Sequence, residues 1–516
     1  MRSRPLVVLA SGALALSACA RTGLDALQGL EAAATTGNDG GGGAAPIGGS
    51  AGAGGAGGTG GAGGTGDPVW STTAGALNAT VEPHGIAIDG AGNAIIAGTF
   101  AGTVDFGGGP LTSVGVHDTF VLKLDPEGHH LWSKRFGSAY GKDPDVPGPA
   151  PSASAMGVAA DGDGNIVLAG GFDVSVDFGG GPLAGRADIF VAKLDPDGDH
   201  LWSRAYGDDA IYQLGWGVAV DGGGNALVIG SFNGTVDFGG GPFTTNGIDD
   251  VFVLKLDPAG DHVWSRQFGD DEGNQQGFAI AADTAGNVAI TGFYDGPVDF
   301  GGGPLPFPGG GDHGLELFIA RLDPDGQHVW SRGFADGDHI SLGSAVTFDA
   351  AGDVLVAGDF HISLDLGKGT LQSTWPYDGG ETLFVAKLGP DGETIWSKAA
   401  SGAAGKGTSR AFGIAASGPG DVVVTGTFHD TLDLGQGPLD SEGLEAIFVA
   451  GLSPDGETRW SRSFGDEPPY QEGRAAAALP QGGWLVAGMF AGTVDFGSGP
   501  QTSPGLTSLF VTAFEP

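Results

Sequence analysis

Seven aspartates recur at one position of a repeated string: Asp105, Asp177, Asp237, Asp299, Asp365, Asp433 and Asp495, each in a variant of V-D-F-G-G-G-P-L. Seven carboxylates at equivalent positions of a ring would offer oxygen donors to a cationic ligand, since hard cations take oxygen. The competing expectation is a surface loop in which Asp caps turn amides and Gly supplies positive φ. A second acidic string, Asp195-Pro-Asp-Gly-Asp199, has the look of a calcium loop. Its last acid does not persist, the equivalents being His129, Asp261, Gln327, Glu393 and Glu457. A tight turn with Pro setting φ and Gly in the left-handed position explains the rest. His130, His200, His262 and His328 each stand two residues before a Trp, on the Trp's side of a strand. They fall in different repeats and so cannot share one metal. Packing or surface roles are expected for them, and no metal site is assigned. The remaining reactive group is the lone thiol, Cys19.

The elements that must position these groups follow from a long repeat. Trp70, Trp132, Trp202, Trp264, Trp330, Trp396 and Trp460 share a W-S context at intervals of 62, 70, 62, 66, 66 and 64 residues. Between successive tryptophans come four short segments. In the third unit the first two are Gly217-Val-Ala-Val-Asp221 and Asn225-Ala-Leu-Val-Ile-Gly-Ser-Phe232. In the second unit the last two are Asp188-Ile-Phe-Val-Ala-Lys-Leu-Asp195 and His200-Leu-Trp-Ser-Arg204. Each is five to eight residues long, β-branched or aromatic, and bounded by Gly, Pro, Asn or Asp, which are strand and hairpin signals. Four antiparallel strands per unit, seven times over, predict an all-β, seven-bladed β-propeller. The last unit stops after its third strand, and the missing W-S strand stands at the start of the body, Pro68-Val-Trp70-Ser71. An N-terminal strand completing the last blade would close the ring and remove an open edge. Phe120, Phe190, Phe252, Phe318, Phe384, Phe448 and Phe510 are expected between blades as core, not as a sugar-stacking platform.

The coupled motifs G-x-A-[IV]-D-x-x-G-N and [DE]-x-F-V-x-K-L-D-P-x-G, followed by L-W-S, resemble the SBBP repeat of seven-bladed propellers over about residues 67–516. The resemblance implies the fold and display outside the cytoplasm, and it carries no general activity. The L-D-x-x-x-G turn is also similar to that of quinoprotein-type propellers, where it precedes a docking Trp. Quinone-binding members use adjacent cysteines, which this body lacks, so no cofactor is assigned. The D-F-G-G-G string has no helix after it to make a phosphate loop, and there is no nucleophile elbow, H-E-x-x-H or Walker motif.

The address comes from the start of the chain. Arg2 and Arg4 precede an apolar run, Leu6 to Leu16, too short to span a bilayer and suited to an export signal. Leu16-Ser17-Ala18-Cys19 then resembles the lipobox of bacterial lipoproteins. That resemblance implies residues 1–18 as a signal peptide, acylation of Cys19, a lipidated segment over 19–36 and, with Ala rather than Asp at position 20, the outer membrane. An ordinary signal cleaved after Ala18-Cys19-Ala20 is the alternative. Residues 37–66, of which 17 are Gly, form a flexible linker.

Charge narrows the partners. Against 22 basic residues stand 61 acidic ones, a net −39, which excludes nucleic acid and anionic lipid as electrostatic partners. The acids are expected in turns facing solvent, and the repeated Lys and Arg are expected as scaffold with their stems along the sheets. The predicted function is a lipid-anchored, monomeric propeller acting as a non-catalytic binding or scaffolding module. Its partner is a protein or glycan, with the surface charge favouring a cationic one. The alternatives are an envelope hydrolase or lyase at the channel mouth and a cation-dependent adhesin. Four loops unlike their counterparts in other blades are the candidate contact surfaces: Tyr140 to Ser152, Phe307 to His313, Thr374 to Glu381 and Asp466 to Glu472.

Overall fold

A computed structural model describes residues 65–516 apart from 138–151, 209–212, 246, 270–272, 308–313, 335–339, 374–379, 401–406, 419, 442–444 and 466–469. Cys19, the signal and most of the linker therefore lie outside the described residues, as does most of the four unlike loops. Within the body every element is a strand. Blade 3 shows the pattern: Gln213–Val220 innermost, then Ala226–Phe232, Asp250–Leu256 and outermost His262–Phe268, all antiparallel neighbours. Seven such sheets are present. The seventh consists of Gln471–Ala478, Trp484–Phe490, Ser508–Phe514 and, as its outer strand, Pro68–Ala74. The N-terminal strand pairs antiparallel with the C-terminal one, Thr72 opposite Val511, which is the closure expected from the missing W-S strand.

The second and third strands read as continuous apolar runs because both of their faces are covered by neighbouring blades. Ala226–Phe232 and Asp250–Leu256 are buried at every residue. One cluster joins Val167, Ala169 and Val191 of blade 2 to Val228, Phe252 and Leu254 of blade 3. The seven repeated phenylalanines are all buried in these seams, as expected.

Blades are also latched at their outer ends. The indole N–H of Trp132 donates to the carbonyl of Pro196 in the next blade's turn, and Trp202 and Trp264 do the same to Pro258 and Pro324. Arg266, two residues after its Trp, donates to the carbonyls of Asp325 and Gly326 in that same turn. The turn glycine must be bare: a Cβ at Gly260, whose φ is +82°, would overlap the Trp202 ring. At the seam no covalent turn exists, yet the latch is rebuilt from the two chain ends. Gly66 lies against Trp460 as Gly260 lies against Trp202. Arg462 donates to the Thr65 carbonyl at 2.6 Å and the Asp67 carboxylate at 2.9 Å, and the Glu515 amide donates to the Asp67 carbonyl at 3.0 Å.

Most of the described acids are exposed or only partly buried, as expected, but the Asp of the repeat is an exception, and the repeated lysines contribute their ammonium groups as well as their stems. The Asp ending the inner strand is buried and ion-paired to the Lys of the third strand: Asp89–Lys123 at 2.9 Å, Asp161–Lys193 at 2.8 Å, Asp221–Lys255 at 2.9 Å and Asp349–Lys387 at 2.7 Å. The inner-strand turn ends against the neighbouring blade, so a carboxylate placed there loses its water and must be matched. Asp161 also accepts from the amides of Asp163 and Asn165 and from the Asn165 side chain. Burial pushes its carboxyl up, but the Lys193 and Asn165 bonds outweigh that and hold it below the usual range. Where the base is missing the acid is missing too: Gly451 and Ala513 replace the Lys in blades 6 and 7, and Ser417 and Leu479 replace the Asp.

Candidate functional site

The seven repeated aspartates sit in small hairpins between second and third strands, such as Thr235–Asp237 with Pro242–Thr244. Each carboxylate caps its own loop. Asp237 Oδ1 accepts the Gly239 and Gly241 amides at 2.7 and 3.1 Å. Asp105, Asp177, Asp299, Asp433 and Asp495 repeat both bonds, and Asp365 keeps the first. They belong to seven different blades and are brought to no common point by these contacts. The repeated histidines serve the same loops. His200 lies against Gly179 and Gly180 and bonds Ser203 Oγ at 3.1 Å, with His130, His262 and His328 in the same role. A bulge at Leu201 separates His200 from Trp202, and the two side chains take different partners, the Trp going to the next blade. Among the described residues one group of at least three His, Cys, Asp or Glu is close enough to hold a metal: Asp125, Glu127 and His129 in the exposed turn of blade 1.

The non-repeating chemistry lies instead along the central channel. Every inner strand carries a β-bulge at its third to fifth residue: register shifts fall between Pro83 and Gly85, Ala155 and Gly157, Gly215 and Gly217, Gly277 and Ala279, Gly343 and Ala345, Ala411 and Gly413, and Gly473 and Ala475. A bulge inserts one residue that no partner opposes and re-aims its side chain. The inserted residues are His84, Met156, Trp216, Phe278, Ser344 and Phe412, with Arg474 in blade 7. All seven line one cavity of about 180 Å³ on the axis. All are half-buried, whereas the residue just before each is buried. The glycine facing each bulge from the second strand is obligatory, because a Cβ at Gly230, for example, would overlap the Leu214 carbonyl oxygen.

The lining is divided. Blades 2 to 4 give Met156, Trp216 and Phe278, the last two in edge contact at 5.7 Å. The Trp216 indole N–H donates to Ser231 Oγ at 3.2 Å. Blades 5, 7 and 1 give Ser344, Arg474 and His84. Arg474 pairs with Glu472 at 2.5 Å and lies over the Phe412 ring, 5.9 Å from its centroid. Burial, helped by the Arg474 and His117 charges, pushes His84 down to about 3, so the imidazole is neutral at any ordinary pH.

Arg474 belongs to a charged cluster in blades 5 to 7. Arg410, on the inner strand of blade 6, makes a two-pronged pair with Glu381 of blade 5. Burial and then the Glu381 charge push Asp359 upward, against Arg410. Glu445 stands just before the third strand of blade 6. Burial and then the Glu472 charge push it up to about 7 against Arg410. These residues were missed in the sequence because they fall at positions that vary between blades; only Glu381 and Glu445 share one, three residues before the repeated Phe, with Asp249 as their counterpart in blade 3. The signal that was available is the residue before the repeated inner-strand Gly or Ala, which takes six different types in seven units.

An SBBP match, described as a beta-propeller repeat, covers residues 69–99. That stretch is similar to one repeat of the family. It runs from the outer strand of blade 7 to the second strand of blade 1, across the seam, and the six other units repeat its architecture. An uncharacterized WD repeat-containing protein of Acanthamoeba polyphaga mimivirus is 29% identical over 167 residues, 29% of this chain, and the match spans 11% of that protein's length. Among solved structures, an ulvan lyase is 11% identical over 87% of this chain and 93% of its own, with a TM-score of 0.40. A fungal alcohol oxidase of the AA5 family, in complex with copper, is 13% identical over 88% and 76%, with a TM-score of 0.38.

Proposed function

We propose that this chain is exported, anchored through a lipid on Cys19, and works at the bacterial cell envelope as a non-catalytic binding or scaffolding propeller whose ligand enters the channel. The observation that carries the reading is the ring of bulges. A scaffold that otherwise repeats its residues blade after blade has seven structural irregularities that present side chains of six different types around one channel. Selective recognition uses such an arrangement, in which a rigid frame carries individual contacts. The lipobox-like Leu16-Ser17-Ala18-Cys19 and the Gly-rich linker support the anchored address.

Two experiments test it. Metabolic labelling with radioactive palmitate should mark the full chain and not Cys19→Ser. Capture from envelope extracts with the full chain should recover a partner that is lost when the channel is blocked by Ser344→Trp. Recovery of nothing, together with turnover of a glycan or peptide panel, would sink the reading.

The second reading, an envelope hydrolase or lyase, is favoured by Glu445 and Asp359. Two carboxyl groups pushed up toward neutrality by burial, beside arginines, are suited to acid–base work. Loss of such turnover in Glu445→Gln would establish it.

A further inference from the structure

The channel is amphipathic across its diameter and balanced in charge, and together these properties select a class of ligand. One half is an apolar wall, Met156, Trp216 and Phe278, half-buried and wetted when the cavity is empty. The other half carries Ser344, Arg474 and His84, with the Phe412 ring between the first two and under the guanidinium. The Arg474 charge is matched at 2.5 Å by Glu472, and the imidazole is neutral. An ion entering would therefore meet compensated charge and would lose its own hydration for little return. An alkyl chain would cover the wall but would strip water from the Ser344 hydroxyl and from the Arg474–Glu472 ion pair without replacing it. A neutral sugar ring meets both halves, because a pyranose has one face of C–H bonds and a rim of hydroxyls. The cavity, of about 180 Å³ and open, accommodates one such ring at the level of the seven bulges.

We propose that the channel binds a single pyranose residue of a neutral saccharide, its C–H face against Trp216 and Phe278 and its hydroxyls toward Ser344, Arg474 and His84. This deepens the reading of the channel as a binding site and rests on it. Trp216 is preorganised for the task, since its indole N–H is held by Ser231 and its ring edge by Phe278, so little is lost in fixing it on binding. The preceding Gly215 is buried and the following Gly217 lies against Phe278 and Ile280 of blade 4, which fixes the backbone that carries the indole.

The test is saturation-transfer NMR and calorimetry on the full chain in mild detergent. The probes are the methyl glycosides of glucose, galactose, mannose and N-acetylglucosamine, with galacturonate, choline and decanoate beside them. At least one neutral glycoside should bind saturably. Trp216→Ala should weaken that binding at least tenfold, and Ser344→Trp, which fills the channel from the opposite wall, should abolish it. Leu201→Ser, on the outer surface, should leave it unchanged. Thermal melts of all three variants confirm that each is folded, and the blocking variant keeps the test open should Trp216→Ala fail to fold. The proposal is overturned if no neutral glycoside binds, if binding survives Ser344→Trp, or if only galacturonate, choline or decanoate binds. Should the sugars fail while envelope capture still recovers a partner sensitive to Ser344→Trp, the sugar assignment falls alone. If capture also fails, the binding reading falls with it.

Discussion

Replacing Lys193 by Met should destabilise the propeller by about 3 kcal/mol, and removing Asp161 as well should restore most of that loss. Both side chains are nearly inaccessible, at 4% and 5% exposure, and their charged atoms are 2.8 Å apart. Breaking a buried pair from one side costs about 3–5 kcal/mol because the remaining charge stays buried. Asp161 would keep Asn165 and two backbone amides, which places the cost at the lower end. The double variant Asp161→Leu/Lys193→Met makes both positions apolar, as blade 7 does with Leu479 and Ala513, and should lie within about 1 kcal/mol of the parent. Asp161→Leu alone strands the Lys193 charge at a similar cost of about 3 kcal/mol, so the coupling energy from the double-mutant cycle in urea, at pH 7, should reach about 5 kcal/mol. The acid dependence has a definite sign. The folded pKa of Asp161 is below its unfolded value, so the pair's contribution is present above the unfolded pKa and is lost as pH falls through the folded one. The gap between parent and Lys193→Met should accordingly narrow in acid, where protonation removes the stranded charge. A cost under about 1 kcal/mol for Lys193→Met, or a double variant as damaged as the single one, would refute the argument.

Other outcomes follow from the same geometry. Gly230→Ala drives a Cβ into the Leu214 carbonyl and the Phe252 ring, and should cost about 3 kcal/mol in urea denaturation, the upper part of the range for overpacking. Glu445→Gln should stabilise the protein at pH 8 by roughly 2 kcal/mol and change little at pH 4. Its folded pKa is raised to about 7, so the wild-type contribution is full below the unfolded value and is lost as pH rises through 7; a flat pH difference would dismiss the buried acid. Deleting residues 1–74 leaves the Ser508–Phe514 strand as an open edge, and size-exclusion chromatography should then show association of copies, where a clean monomer would argue against the closure. Arg462→Ala, by contrast, removes an exposed clasp worth under about 1 kcal/mol, but should speed hydrogen exchange of the amides from Ser71 to Ala74.

The architecture was legible because its signals are coupled within each repeat. A Phe in the third strand and a W-S in the fourth recur seven times in a fixed order, five of them after an inner strand ending in Asp, and one displaced copy revealed the closure. The seven hairpin aspartates were legible as a position, and their capping bonds come from the Gly-rich string that follows each of them. The buried Asp–Lys pairs were half legible. Both residues were seen to repeat, but pairing across two strands and burial against the next blade depend on stacking that no single unit contains. Asp359 and Arg410 were invisible for the opposite reason: each occurs once, and comparing units hides what only one unit has.

The bulges explain how a repeated sheet acquires an individual site. A regular inner strand would alternate between blade seams, and any side chain change there would disturb packing on a neighbour. The inserted residue escapes that constraint because no cross-strand partner opposes it, and the facing glycine absorbs the kink. His84, Trp216, Ser344 and Arg474 differ in size, charge and polarity, yet Glu82–Thr99, Leu214–Ser231, Leu342–Asp359 and Glu472–Met489 keep the same register around them. Substitution at the bulge is therefore cheap in stability and direct in effect on the channel, while the pairs beside it hold the frame. The outer bulge is the counter-case: six blades place an aliphatic residue there, Leu131, Leu201, Val263, Val329, Ile395 and Val69, exposed by 46–60%. Of the two irregularities in each blade, only the inner one converges with its six counterparts on one cavity, and there aromatic, aliphatic, hydroxyl, imidazole and guanidinium groups meet.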